Sequence, residues 1–209
     1  MTKGIAAWLF ITAAAASSGL APRDLVQSAV VRVIHVLEEG QAKAETAQAG
    51  RQANERVRLE VRRIAAELFD FEEISRRALS RHWAGRSREE QQEFTGLFTD
   101  LLERSYVGKI EAYSGEKIIY TGEVVDGDYA TVRSRIITKR RTETALDYRL
   151  HRAGGRWKVY DVVIDGVSFV STYRSEFNRV IQASGYDELL DRLRKKQIEI
   201  RTVVDRGQS

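Results

Sequence analysis

The residue best placed for chemistry is a carboxylate embedded in an apolar run. Asp161 stands inside RWKVYDVVI, residues 156 to 164, and an acid enclosed among apolar groups can have its pKa raised far enough to serve as a general base. The competing reading is a carboxylate that accepts hydrogen bonds from nearby backbone or from an arginine. That reading is favoured, because no Tyr-Asp or histidine partner can be identified by spacing. Asp165, followed by Gly166, reads as a turn residue. The three histidines, His35, His82 and His151, fall in different predicted elements. None is paired at ligand spacing with a second histidine or a carboxylate, so each reads as structural or solvent-facing rather than metal-binding. The sequence has no serine in a nucleophile-elbow pattern and no Gly-rich phosphate loop, which argues against P-loop hydrolysis of ATP.

Composition narrows the field further. The chain has no cysteine, which excludes a disulfide framework, a thiolate metal site, a cysteine nucleophile and a lipid anchor on cysteine. Its 34 basic and 30 acidic residues leave a mild formal charge of +4. The basic triplet Lys139-Arg140-Arg141 reads as a solvated hairpin tip. Without interleaved aromatics it is a poor nucleic-acid footprint, and an anionic membrane surface or an acidic partner suits it better. With 209 residues the chain has enough length for one domain with a sizeable core.

The elements that must position these residues follow in chain order. Residues 1 to 21 read as a secretory leader: Lys3, an apolar run from Ile5 to Ala16, then small residues. The run falls short of the ~20 residues that span a bilayer, and the expected mature start lies between residues 17 and 22. Val26, Val30, Val33 and Leu37 mark a first amphipathic helix that Gly40 is expected to end, and Val57, Val61, Ile64 and Leu68 mark a second. Short helical pieces reach to Leu79 and Trp83. Ser87-Arg-Glu-Glu90 is a capping box opening the longest helix, with Phe94, Phe98, Leu101, Leu102, Tyr106 and Ile110 on its apolar face. Gly96 and Gly108 inside that helix suggest close packing or room for something else.

Four strand-like runs come next, 116 to 124, 128 to 139, 142 to 152 and 156 to 164, joined by hairpin-length links. Short consecutive links dictate an antiparallel meander. The fourth run is apolar at both parities, which predicts cover on both faces. After Asp165-Gly166, Val167, Val170, Tyr173 and Phe177 recur at helical spacing, and a last helix is expected from Tyr186 to about Val204 with Leu189, Leu193, Ile200 and Val203 inward. The fold class is α+β: a curved antiparallel sheet of about four strands, embraced by N- and C-terminal helices. Residues 22 to 205 form the single domain and 206 to 209 a tail.

What remains is an apolar surplus that converges between sheet and helices: Phe98, Leu102, Tyr106, Val132, Ile136, Leu146, Tyr148, Trp157, Val159, Val167 and Val170. Spacing alone favours an ordinary packed core here, with a small-molecule enzyme using Asp161 and a ligand-free interaction module as further readings. Two segments change that balance. WKVYDVVIDGVSFVSTYRSEF (157 to 177) and LFDFEEISRRALSRHWAGRSREEQQEFTGLFTDLLERSYVGKIEAYSGEKI (68 to 118) resemble the MlaC, or toluene-tolerance, family of periplasmic phospholipid-binding proteins. With weaker similarity on either side, the resemblance covers roughly residues 24 to 200.

The resemblance implies a nuclear-transport-factor-like cone whose apolar interior stays open for phospholipid acyl chains. It also implies a carrier rather than an enzyme, needing no cofactor. Such a carrier is periplasmic and shuttles lipid between an inner-membrane ABC transporter complex and an outer-membrane lipoprotein-porin complex, maintaining outer-membrane lipid asymmetry. A monomer is expected. Gln41 to Gly50 matches no recognisable part of the family pattern, so the helical cover over the lipid, and the lipid itself, can differ, a polycyclic membrane lipid included.

Overall fold

A computed structural model describes residues 19–42, 47–139, 141–196 and 198. Residues 1–18 of the expected leader and the tail lie outside them. So do Ile200 and Val203. Six helices and five strands follow one another as α1 (Pro22–Ala42), α2 (Ala47–Leu68), α3 (Phe71–Leu79), α4 (Arg88–Glu111), β1 (Lys117–Asp126), β2 (Tyr129–Ile137), β3 (Glu143–Ala153), β4 (Arg156–Ile164), β5 (Val167–Ser168), α5 (Phe169–Ser184) and α6 (Tyr186–Arg194). None of the described helices is long and apolar enough to cross a membrane.

The strands pair in chain order, β1-β2-β3-β4-β5, as an open antiparallel meander. The α+β expectation therefore holds, with one strand more than expected. Asp165 and Gly166 both take positive φ, 47° and 82°, the two-residue hairpin geometry in which the chain reverses with the twist of the strands. Val167 then pairs with Ile164 and Ser168 with Val163. Val167 is thus a strand residue rather than the first residue of the helix. Ser168 caps α5, its hydroxyl accepting from Ser171 N.

Two bulges shape the sheet. In β4, Val159 faces Leu150 while Asp161 faces Arg149, so Tyr160 is the extra residue; in β1, Thr121 is extra between Tyr120 and Gly122. Each bulge bends and twists its strand locally. The one in β4 also explains an apolar run at both parities. Trp157 and Val159 share a face with Leu150 and Tyr148, whereas Asp161 and Val163 lie on the other face with Arg149 and Asp147. The cover expected on both sides is thus delivered by moving the buried positions from one face to the other along a single strand.

The helices cover those faces unequally. Val26 and Ala29 of α1 and Ile64 and Leu68 of α2 pack on Ala130, Val132, Tyr148, Leu150, Trp157 and Val159. Separately, Ile74, Leu79, Phe94, Phe98, Val170, Tyr173 and Phe177 make a core among α3, α4, α5 and α6. Phe98, Tyr173 and Phe177 stack there edge to face, with ring centroids of 4.9 Å for both Phe98 pairs. Phe69 touches both cores. A third, small cluster of Leu37, Val57 and Val61, flanked by Ile110 and Tyr113, ties the far end of the α1–α2 pair to the end of α4.

Two helix expectations need correction, and a third, at Gly96 and Gly108, narrows to one of its two alternatives. Gly40 does not end α1, which runs on to Ala42; it is buried because a Cβ there would collide with Val57 Cγ2. At Gly96 and Gly108 a Cβ would meet nothing within 4 Å, so close packing does not account for either. The last helix stops at Arg194, where Lys195 caps it and Lys196 turns to φ 60°. The capping box is present as expected, Glu90 N donating to Ser87 Oγ at 3.2 Å and Ser87 N to Glu90 Oε2 at 2.7 Å.

Candidate functional site: a half-covered sheet face

One face of the sheet carries Ile118 and Tyr120 of β1, the even residues from Ala130 to Ile136 of β2, the even residues from Leu146 to Leu150 of β3, and Trp157, Val159, Val162 and Ile164 of β4. Its two ends differ. Toward the β1–β2 and β3–β4 turns, Ala130, Leu150, Trp157 and Val159 are buried under α1 and α2. Toward the opposite end, Ile118, Tyr120, Ile136, Leu146, Val162 and Ile164 are only half-buried. Val167, paired with Ile164, continues this row at its rim and is 45% exposed.

Other apolar residues are half-buried as well. Tyr106, Ile110 and Tyr113 extend from the last turns of α4, which leads straight into β1. Tyr106 meets Phe169 at the start of α5 with centroids 4.7 Å apart. Val33 and Val36 of α1 are shared between the sheet core and the small cluster beside Ile110 and Tyr113. The helices lying closest on the strands are α1 on β1 and β2, and α2, α3 and α5 on β4, while α4 packs on α3 and α6.

Tyr120 brings the polar element. Its hydroxyl is buried and has no hydrogen-bond partner among the described residues. Burial raises its pKa, with Arg23, whose guanidinium lies over the ring at 5.9 Å, opposing the shift. The neighbouring Tyr148 phenol is also pushed up, by burial first and by Tyr120 second. Both phenols are therefore neutral donors at any physiological pH. An unpaired buried hydroxyl costs roughly 1–3 kcal/mol, a cost that an acceptor entering from outside would relieve.

The eleven residues singled out by sequence do not form one group. Phe98, Leu102 and Val170 are buried in the helical core with Tyr106 against it, whereas Val132, Tyr148, Trp157 and Val159 are buried in the sheet core with Leu146 against it. Ile136 is half-buried on the sheet face and Val167 lies at its rim. Sequence reasoning missed Ile118, Tyr120, Val162, Ile164, Ile110 and Tyr113. In β1 the consecutive Ile118, Ile119 and Tyr120 are apolar at both parities, so alternation did not single out the first and third of them. Val162 and Ile164 depend on the bulge at Tyr160, which parity alone hides.

Asp161, 4% exposed, is fully engaged. Its Oδ1 accepts from Val170 N at 3.0 Å, and its Oδ2 from Ser168 Oγ at 2.7 Å and Arg149 Nη1 at 3.2 Å. A carboxylate at the N-terminus of α5 is favoured by the free amides and dipole there. The residue fastens helix to strand, with backbone and arginine as the donors. Each histidine has a partner: His35 pairs with Glu39 at 3.0 Å, His82 with Asn178 Oδ1 at 3.2 Å, and His151 with Asp70 Oδ2 at 2.9 Å. Glu39, one helical turn after His35, escapes the spacing argument made from sequence. Among the described residues no three potential ligands gather around a metal-sized site.

An open five-stranded antiparallel meander with one face sealed at one end and half covered at the other, and with its buried acid fastening a helix, places the chain among α+β domains built on a curved sheet. The chain belongs to the MlaC family, whose model, described as MlaC protein, matches residues 27–195. It is 25% identical over 191 residues to the intermembrane phospholipid transport system binding protein MlaC of Haemophilus influenzae, covering 89% of this chain and 86% of that one. It is also 25% identical over 127 residues to toluene tolerance protein ttg2D of Pseudomonas putida, covering 60% and 59%. Among solved structures it is similar to a phospholipid-binding protein from Ralstonia solanacearum in complex with a phospholipid. That likeness has a TM-score of 0.72 and 25% identity, and covers 84% of this chain and 96% of that one.

Proposed function

We propose that this protein is a phospholipid carrier that holds acyl chains against the half-covered end of its sheet. The observation that carries the reading is the row Ile118, Ile136, Leu146, Ile164 and Val167, apolar and incompletely covered on a face that helices seal elsewhere. Each methylene moved from water to an apolar site is worth about 0.8 kcal/mol, so a bare acyl chain cannot cross an aqueous space unshielded. A floor of isoleucine, leucine and valine walled by Tyr106, Ile110 and Phe169 gives the chains surroundings comparable to a bilayer. Loading and release then need docking at a membrane complex and no covalent chemistry.

Tyr120 supplies the one polar contact that such a site needs. Its unpaired hydroxyl donates to an ester or head-group oxygen as the lipid enters. Val167 sits at the mouth, where its exposure suits an entrance better than a wall.

Family membership and the phospholipid held by the Ralstonia protein support this reading. They also favour the wider expectations drawn from sequence: export to the periplasm behind a cleaved leader, and exchange with an inner-membrane ABC transporter complex on one side and an outer-membrane lipoprotein-porin complex on the other. Organic extraction of natively purified protein, followed by mass spectrometry, tests the central claim. Stoichiometric phospholipid is the expected result. Empty protein that takes up no lipid from vesicles would favour a ligand-free interaction module instead.

A further inference from the structure

A hollow lies between the 3-10 turn after α3, Ser80–His82, and the middle of α5. It has a volume of about 240 Å³ and is lined by Arg81, His82, Arg174, Ser175 and Asn178. Its floor is Leu79, 1% exposed and part of the helical core, and it shares no lining residue with the lipid site proposed above.

Its charge is unbalanced in a way that the rest of these helices is not. On α3, Arg76 and Arg77 both hold Glu73, and on α5 Arg179 holds Glu176. Arg81 and Arg174 have no carboxylate partner among the described residues, and no acid lines the hollow. Two guanidiniums brought to one concavity without a counter-charge repel each other when it is empty and focus a positive field into it.

The donors are also held in place. Asn178 Oδ1 accepts from Arg81 Nη2 at 2.6 Å and pairs with His82 Nε2 at 3.2 Å. Arg174 Nη2 donates to Ser171 Oγ at 3.2 Å. Ser80, which begins the turn, is held at φ 53°, a conformation that side-chain-bearing residues adopt only when their surroundings enforce it. The space takes a tetrahedral oxyanion and several waters, each of about 30 Å³. Guanidinium groups match the planar edge of two phosphate oxygens, which a halide cannot reproduce.

We propose that this hollow is a phosphate-binding site formed by Arg81, Arg174 and His82, accepting the phosphate of a free anion or of a lipid head group at a membrane surface. It is separate from the acyl-chain site, and its test does not depend on that reading.

Titrate isotopically labelled protein with inorganic phosphate, against chloride at matched ionic strength, and follow the backbone amides by NMR. Saturable shifts confined to Arg81, His82, Arg174 and Asn178 are expected. They should weaken at least ten-fold in the Arg81→Gln/Arg174→Gln protein and in Asn178→Ala, and stay unchanged in Arg156→Gln, an exposed arginine at a distant turn. Sedimentation with phosphatidylglycerol vesicles, against phosphatidylcholine, then identifies the source. Pelleting that the double variant loses assigns the site to head groups, and phosphate shifts without pelleting assign it to the free anion. Shifts that do not saturate, or that persist in the folded double variant, overturn the site.

Discussion

Two ends of one sheet face, built from the same strands, have opposite fates. At one end Leu150, Val159 and Trp157 are sealed beneath Val26, Ile64 and Leu68; at the other Ile118, Ile136, Leu146 and Ile164, no less apolar, are left half covered. Residue type does not separate them. What does is where the helices go. The α1–α2 pair lies over the first end, then leaves the strands to pack its far end on the last turn of α4. Gly40 lets α1 and α2 approach closely at that far end, where a Cβ would collide with Val57. A sealed core and a half-covered floor are thus distinguished by the path of the cover, not by the composition of the floor.

Substitutions can break this comparison, beginning with the sealed end. Leu150→Glu places an unpaired carboxylate in a fully buried position and should cost at least about 4 kcal/mol. Chemical denaturation should show it largely unfolded or without a cooperative transition. A stable Leu150→Glu protein would mean that the sealed end, too, admits water or ligand.

Asp161→Asn comes next, at about 2 kcal/mol, because an amide nitrogen in place of Oδ2 can accept from neither Ser168 nor Arg149. Denaturation midpoints measure the loss. Lipid content by mass spectrometry should remain near wild type, since the residue fastens α5 and touches no part of the half-covered floor; an empty but stable variant would give the acid a role in binding.

At the rim, Val167→Glu should change stability by less than about 0.5 kcal/mol, as exposed positions do, yet reduce co-purified lipid about ten-fold. Native mass spectrometry reads both folding and loading. Full occupancy in this variant would move the entrance away from the β4–β5 hairpin.

The smallest effect is expected at Tyr120. Tyr120→Phe removes a hydroxyl that has no partner among the described residues, so delipidated protein should be as stable as wild type or up to about 1 kcal/mol more so. The lipid-loaded form should lose a similar amount of its extra stability. A thermal shift measured before and after delipidation separates the two.

Much of this was legible in the sequence. Strand β4 begins and ends where its β-branched run does, the capping box at Ser87 opened α4 as local chemistry requires, and the hairpin links dictated a meander in chain order. The site was less legible, for three physical reasons. Periodicity reports which residues face inward but not which neighbour they meet, so Phe98 and Val159 looked like one cluster and belong to two. A bulge adds a residue without changing the apolar pattern, so the face of Val162 and Ile164 could not be read through Tyr160. Finally, Gly40 looks like a helix end in sequence, and only the nearby Val57 reveals it as a place of close contact.

The bridge between Phe69 and Val159 has a consequence for the protein's life among other proteins. An open sheet exposes two rows of unpaired backbone groups, each a template for a stray strand. On the β4 side this row is occupied within the chain: Asp70 N donates to Val159 O at 2.9 Å, Phe69 lies parallel beside the strand, and β5 pairs with its last two residues. Among the described residues the outer edge of β1 is the longer edge left open, and the extra residue at Thr121 kinks it midway. A protein that carries apolar surface for a living thus gives unfolded or growing fibrils very little straight edge on which to dock.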